Sequence, residues 1–120
     1  KLLDVELVQG SSGEADNVLD GDLQSYWETK GEQDLTFKFV DFHVVTGIGM
    51  AVFDGESRVQ SFDVTSGKES GEWKEYLVDV ESKKSNGIES YEVEMDDTKM
   101  VKLTFYGEKN MISEVEFWGC

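Results

Sequence analysis

Near its start the chain reads Asn17-Val18-Leu19-Asp20-Gly21-Asp22-Leu23-Gln24-Ser25-Tyr26-Trp27. Two carboxylates, an amide and a hydroxyl cluster here around one glycine. No apolar run in this stretch is long enough for a helix or a strand. A loop is predicted, bent at Asp20-Gly21-Asp22, with its oxygens turned inward. Oxygen donors at this density suit Ca²⁺, which takes roughly 6–8 oxygens and accepts backbone carbonyls. An EF-hand is excluded: with Asp16 as position one, Val18 would be the third position and Trp27 the twelfth, where that loop needs oxygen ligands. The same residues also fit a plain Asp-Gly turn held by Asx hydrogen bonds. Spacing alone leaves both readings open.

Outward from this loop the chain alternates. Trp27 follows directly and is placed as a core plug rather than a ligand platform. Upstream, Leu2, Val5, Leu7 and Val8 make a first short strand, broken by Gln9-Gly10-Ser11-Ser12-Gly13. Downstream, Leu35, Phe37 and Phe39 alternate with Thr36 and Lys38, as in a half-buried strand. From Val45 to Val52 both parities are small or apolar, the pattern of a central strand covered on both sides. Phe53-Asp54-Gly55-Glu56-Ser57-Arg58 reads as a turn. Alternation resumes at Phe62 and Val64, then at Tyr76, Val78 and Val80. It returns at Tyr91, Val93 and Met95, at Val101, Leu103 and Phe105, and at Val115 and Phe117. Polar turns separate these sets, one of them at Asp96-Asp97-Thr98. About eight short strands at this spacing predict an all-β antiparallel sandwich with negligible helix. Residues 1–120 are expected to form a single domain.

The pattern Asn-x-x-Asp-Gly-Asp-x-x-Ser-x-Trp at 17–27 resembles the early calcium loop of the discoidin domain, also called the coagulation-factor type C domain. Family 32 carbohydrate-binding modules and fucose-binding lectins share that loop. Gln33–Phe39 resembles the strand that follows the tryptophan, and Val45–Ala51 is similar to the next central strand. Arg58–Val64 resembles the arginine-x-x-x-aromatic-x-Val element, and Ile112–Phe117 the closing strand. These pieces stand in the family's order over nearly the whole chain. The resemblance sharpens the sandwich to a jelly roll.

The resemblance also implies a site. A structural Ca²⁺ would be held by the Asn17 carbonyl, the Asp20 carboxylate, the Asp22 carbonyl, the Ser25 hydroxyl and carbonyl, the Ser113 carbonyl and the Glu114 carboxylate. In lectins of this fold, an arginine spaced like Arg58 contacts sugar hydroxyls, its planar fork making paired hydrogen bonds that lysine cannot duplicate. The implied ligand surface lies on loops at one end of the sandwich: Phe53, Asp54, Glu56 and Arg58, with Lys30 and Asn110 from neighbouring loops. Arg58 is equally able to form a surface salt bridge to Asp54 or Glu56. Two departures from the family stand out. Its histidine after the calcium loop is missing, with Glu28 or Lys30 near that place, and its loops are usually longer.

Composition narrows the partners. The formal net charge is −15, from 26 acidic and 11 basic residues. Nucleic acid and anionic membranes need Lys/Arg to release counterions or meet headgroups, so neither is an expected partner. Strong polyanions are disfavoured as well, which favours a neutral or lightly charged glycan. A uronic-acid polymer would need direct contacts from Arg58 and Lys30. No stretch reaches the roughly 20 apolar residues of a membrane span. Lys1 opens the chain without a signal-peptide pattern, as expected of a module of a larger protein. Cys120 is the only cysteine, so no internal disulfide forms; it is a free thiol or pairs outside this chain.

Catalysis has little support. His43 is the single histidine, so any Ser-His or Cys-His unit, or a zinc site, would depend on it alone. It is placed in a turn before a strand. Glu92 and Glu94, like Glu114 and Glu116, share a strand face that reads as solvated surface. A small sandwich with short loops offers little cleft for the carboxylate pair of a glycosidase. The expected role is therefore a non-catalytic, calcium-stabilised, monomeric carbohydrate-binding module. It would hold an extracellular polysaccharide-active enzyme or adhesin to glycan. A discoidin-type adhesion domain for a protein or membrane surface is the alternative.

Overall fold

The computed structural model describes residues 1–10, 15–52, 61–67, 73–81, 87–106 and 110–120. Seven strands run through them: β1 (Val5–Gly10), β2 (Trp27–Thr29), β3 (Gln33–Val52), β4 (Ser61–Gly67), β5 (Trp73–Val80), β6 (Glu89–Tyr106) and β7 (Asn110–Gly119). All pairings between them are antiparallel. One short 3-10 helix, Ala15–Leu19, lies between β1 and β2. Among the described residues no helix is long and apolar enough to cross a membrane.

Two long strands make this one sheet into two layers. The first half of β3 pairs with β1 and with the second half of β6, and that half of β6 pairs with β4, which pairs with β5. The second half of β3 pairs with β7 and with the first half of β6, and β7 carries β2. The β3–β6 ribbon curls from one layer into the other. Its register slips between Lys38 and Val45, and the curl on β6 passes through Asp97, at φ 47°. A short Asp side chain tolerates that left-handed conformation better than a branched one.

The ring contacts close the sandwich. Phe37 and Phe39 from one layer meet Phe117 of β7 in the other, edge to face, with centroids 5.1 and 5.5 Å apart. Trp27 meets Phe105 at 5.6 Å, and Phe62 meets Tyr91 at 5.1 Å. Trp27 is buried, as its place after the acidic loop predicted. Residues Ile48–Val52 are buried on both faces, as expected for the covered central strand.

Three expectations are corrected. Leu35–Phe39 and Val45–Val52 are halves of one strand, and so are Tyr91–Met95 and Val101–Phe105. The polar residues between them mark the curl, where the ribbon keeps pairing at His43–Thr98. The acidic stretch is not all loop: the 3-10 turn drives Val18 into the core and packs Leu19 against it. His43 sits in the curl itself, where Nδ1 lies 3.0 Å from the Cys120 carbonyl and the ring meets Phe39.

The topology sorts the connections. The chain changes layer between β1 and β2, β2 and β3, β3 and β4, β5 and β6, and β6 and β7: Gly10 to Trp27, Thr29 to Gln33, Val52 to Ser61, Val80 to Glu89, and Tyr106 to Asn110. Thr29 pairs with Asn110, Ser61 with Tyr106, Gln33 with Phe105, Phe62 with Val80, and Met50 with Glu89, which puts these strand ends at one end of the sandwich. At the other end are the curl and both termini. There Cys120 exchanges backbone hydrogen bonds with Val44, and Gly119 N–H donates to the Lys1 carbonyl.

Candidate functional site

The acidic loop is built on its own hydrogen bonds. Gly21 takes φ +75°, which lets the chain reverse between the two aspartates. Asp20 Oδ1 accepts the Asp22 N–H at 2.9 Å, and Asp22 Oδ1 accepts the Gln24 N–H at 2.8 Å. Ser25 Oγ donates to Asp20 Oδ2 and also lies 3.1 Å from the Asp22 carbonyl. Asn17 Nδ2 donates to the Tyr26 carbonyl at 3.0 Å, tying the middle of the 3-10 turn to the entry of β2. The bonds from Ser25 and Asp22 hold the Asp20 carboxyl below its ordinary range.

The last strand supplies the other half of the site. Between the pairs Ala51–Glu114 and Val52–Ile112, Ser113 is an extra residue with no opposite number on β3. Such a bulge bends the strand and takes one residue out of the ladder. Glu114 is 5% exposed. Burial pushes its carboxyl up to about 7, against a hydrogen bond from the Gly21 N–H and with the Asp20 charge adding to the rise. Ser113 Oγ is buried and has no hydrogen-bond partner. The structure thus brings Asn17, Asp20, Asp22, Ser25, Ser113 and Glu114 into one region from two distant parts of the chain. Among the described residues no three His, Cys, Asp or Glu side chains gather as a metal-binding group. An ion here would draw on carbonyl and hydroxyl oxygens beside two carboxylates. The repulsion between Asp20 and the buried Glu114 fits such an ion.

Of the expected ligand-binding residues, Lys30 is exposed just beyond β2, and Asn110 opens β7 across from Thr29. Both stand at the end where these strands change layer. Phe53, Asp54, Glu56 and Arg58 lie outside the described residues. Sequence reading missed a groove on the flank of the sandwich, lined by Thr46, Tyr76, Leu77, Glu92, Val93 and Glu94. Glu92 and Glu94 are exposed as expected, but they face this groove. The register slips that shape it leave no mark in an alternating sequence.

Fold and topology define the class: an all-β, discoidin-like jelly-roll sandwich. Solved structures share it. The CBM32 domain of AlyQ, in complex with 4,5-unsaturated mannuronic acid, is similar over 100% of this chain and 97% of its own, at a TM-score of 0.81 and 22% identity. Truncated AlyQ, which carries CBM32 and alginate lyase domains, matches 98% of this chain and 32% of its own, at 0.80 and 23% identity. An F5/8 type C domain from a Bacteroides fragilis protein matches 99% of this chain and 95% of its own, at 0.82 and 15% identity. No family model and no curated protein matches the chain.

Proposed function

We propose that this protein is a non-catalytic carbohydrate-binding module, stabilised by calcium, that holds an extracellular polysaccharide-active enzyme or adhesin to glycan. The observation that carries this reading is the convergence, at one end of a fold shared with solved carbohydrate-binding modules, of the strand ends where the chain changes layer. Loops on a rigid sandwich are where binding residues concentrate. The acidic loop and Glu114 stand behind that end, since Glu114 pairs with Ala51 and Trp27 with Ile112.

Asp20 and Glu114 would hold the ion with the carbonyl oxygens of Asn17, Asp22, Ser25 and Ser113 and the hydroxyl of Ser25. Bound there, it would neutralise the two carboxylates and fasten the 17–25 loop to the last strand. Arg58 and Lys30 would meet the sugar. Arg58 supplies the paired donors for vicinal hydroxyls, or for the carboxylate of a terminal uronate. The net charge of −15 selects against long polyanions.

A glycan array carrying neutral oligosaccharides and uronates, run with calcium and then with chelator, tests the reading. Retention of at least one glycan class, weakened by chelator, is the expected result. Binding to no glycan, together with capture on phosphatidylserine vesicles, would replace it with the adhesion-domain alternative.

A further inference from the structure

We infer that the flank groove between β5 and β6 is a second carbohydrate site, separate from the loop end, and that it takes a neutral sugar. The class of ligand rests on the carbohydrate-binding reading above; the site itself rests on the geometry of the groove.

Both walls are sheet edges. β5 ends the strand order of its layer, and the first half of β6 pairs with β3 on one side only among the described residues. At both edges irregular residues are among those that line the groove. Tyr76 is the extra residue of β5 between the pairs Glu75–Thr65 and Leu77–Val64. On β6, Val93 and Glu94 together face the single residue Thr46 between the pairs Met95–Val45 and Glu92–Gly47. Bulges re-aim side chains and gather at sheet edges and beside functional sites. Here they line one groove of about 570 Å³, within the roughly 300–1,000 Å³ common for small-ligand sites.

The lining chemistry is that of sugar recognition. Tyr76, Leu77 and Val93 give an apolar wall that is half-buried to buried. Glu92 and Glu94 are exposed carboxylates able to accept from pairs of hydroxyls, bonds stronger than those between neutral groups. Thr46 Oγ donates to the Trp118 carbonyl at 3.4 Å, and its oxygen can accept in turn. The Lys74 ammonium lies 5.1 Å from the centre of the Tyr76 ring, which steadies the ring and puts one donor at the rim. Two carboxylates against one ammonium repel a uronate. They impose no such cost on a hydroxymethyl group in its place.

The test uses galactotriose and trigalacturonate of matched linkage, which differ at C6 alone. Each is titrated into isotopically labelled full chain while backbone amide shifts are followed. Galactotriose is expected to shift Thr46, Tyr76, Val93 and Glu94, and trigalacturonate to leave them in place. Glu92→Gln with Glu94→Gln, both at exposed positions, should weaken galactotriose at least tenfold and leave the melting temperature unchanged. Tyr76→Phe should retain binding and Tyr76→Ala should lose it. Arg58→Ala should leave these shifts intact. Shifts at the groove that persist at equal affinity in the double Gln variant would overturn the proposal, as would equal shifts with trigalacturonate. Galactotriose shifts confined to Lys30 and Asn110 would overturn it while upholding the loop-end site. No shifts anywhere with any glycan would overturn both.

Discussion

Glu114 on the closing strand lies against the bend of the acidic loop, where the Gly21 N–H favours its charge and the Asp20 carboxylate opposes it. The strand and the loop come from opposite ends of the sequence, and Glu114 lies almost wholly out of solvent. Whatever binds at this junction stiffens the loop and the last strand together.

Calcium is therefore expected to raise the melting temperature. An ion that binds only the native state, at a hundred times its Kd, adds about 2.7 kcal/mol, roughly 10 °C for a domain of this size. Melting curves with and without chelator measure it for wild type and Asp20→Ala, and the variant should not respond. If the wild-type midpoint does not move and metal analysis finds no ion, the stretch is only an Asx turn.

Protons and the proposed ion would compete for Glu114. In metal-free protein its carboxyl sits at about 7 when folded, above the ordinary 4.5. The folded state then holds a proton that the unfolded chain has released. This group's contribution is full below pH 4.5 and declines as pH rises through 7, by at most roughly 3 kcal/mol. With chelator present, the midpoint should fall over that window relative to Glu114→Gln, and the gain from calcium should grow over the same window. Parallel pH profiles for the two proteins would refute this.

At the centre of the sandwich, Phe117 touches both Phe37 and Phe39. Phe117→Ala should cost about 3–5 kcal/mol in urea unfolding, by lost burial and a residual cavity. Phe117→Leu should cost much less. At the curl, a Cβ on Gly119 would run into the Val44 carbonyl oxygen and its carbon. Gly119→Ala should destabilise the fold and expose the paired termini to hydrogen exchange, whereas Gly21→Ala should act through backbone strain, because nothing crowds that position.

Tyr106 donates to Asp63 Oδ2 at 2.7 Å. That bond, with burial and the charge of Asp63 behind it, pushes the phenol up to about 12. The neutral phenol is the form the fold favours, so the benefit is present below pH 10 and is lost as pH rises towards 12. Absorbance titration at alkaline pH should find a tyrosine that ionises late, and Asp63→Asn should bring that step back towards 10. An unchanged titration curve in the variant would show that the bond is absent in solution.

The class of fold was legible because period-two alternation survives in nearly every strand, and because Trp27 and the paired Phe37 and Phe39 carry the core. The layer change was not. Lys38–Val45 and Asp96–Thr98 look like turns since polar residues interrupt the alternation in both kinds of structure; only pairing across the ribbon distinguishes a curl from a break. The loop at 17–25 could be read because oxygen donors at short spacing are a local signal. The burial of Glu114 and the bulge at Ser113 depend on strands far apart in sequence. The flank groove was hidden for the same reason: Tyr76 looks like any alternating strand aromatic until its pairing with β4 slips.

The most direct test of the central claim is titration calorimetry of wild type and Arg58→Ala against a glycan retained on the array, in calcium. The variant should lose about 1.5–3 kcal/mol of binding free energy, the range for a hydrogen bond to a charged group, at an unchanged melting temperature. Equal affinity in the two proteins, or loss of binding together with a collapsed melting temperature, would contradict a glycan site built on Arg58.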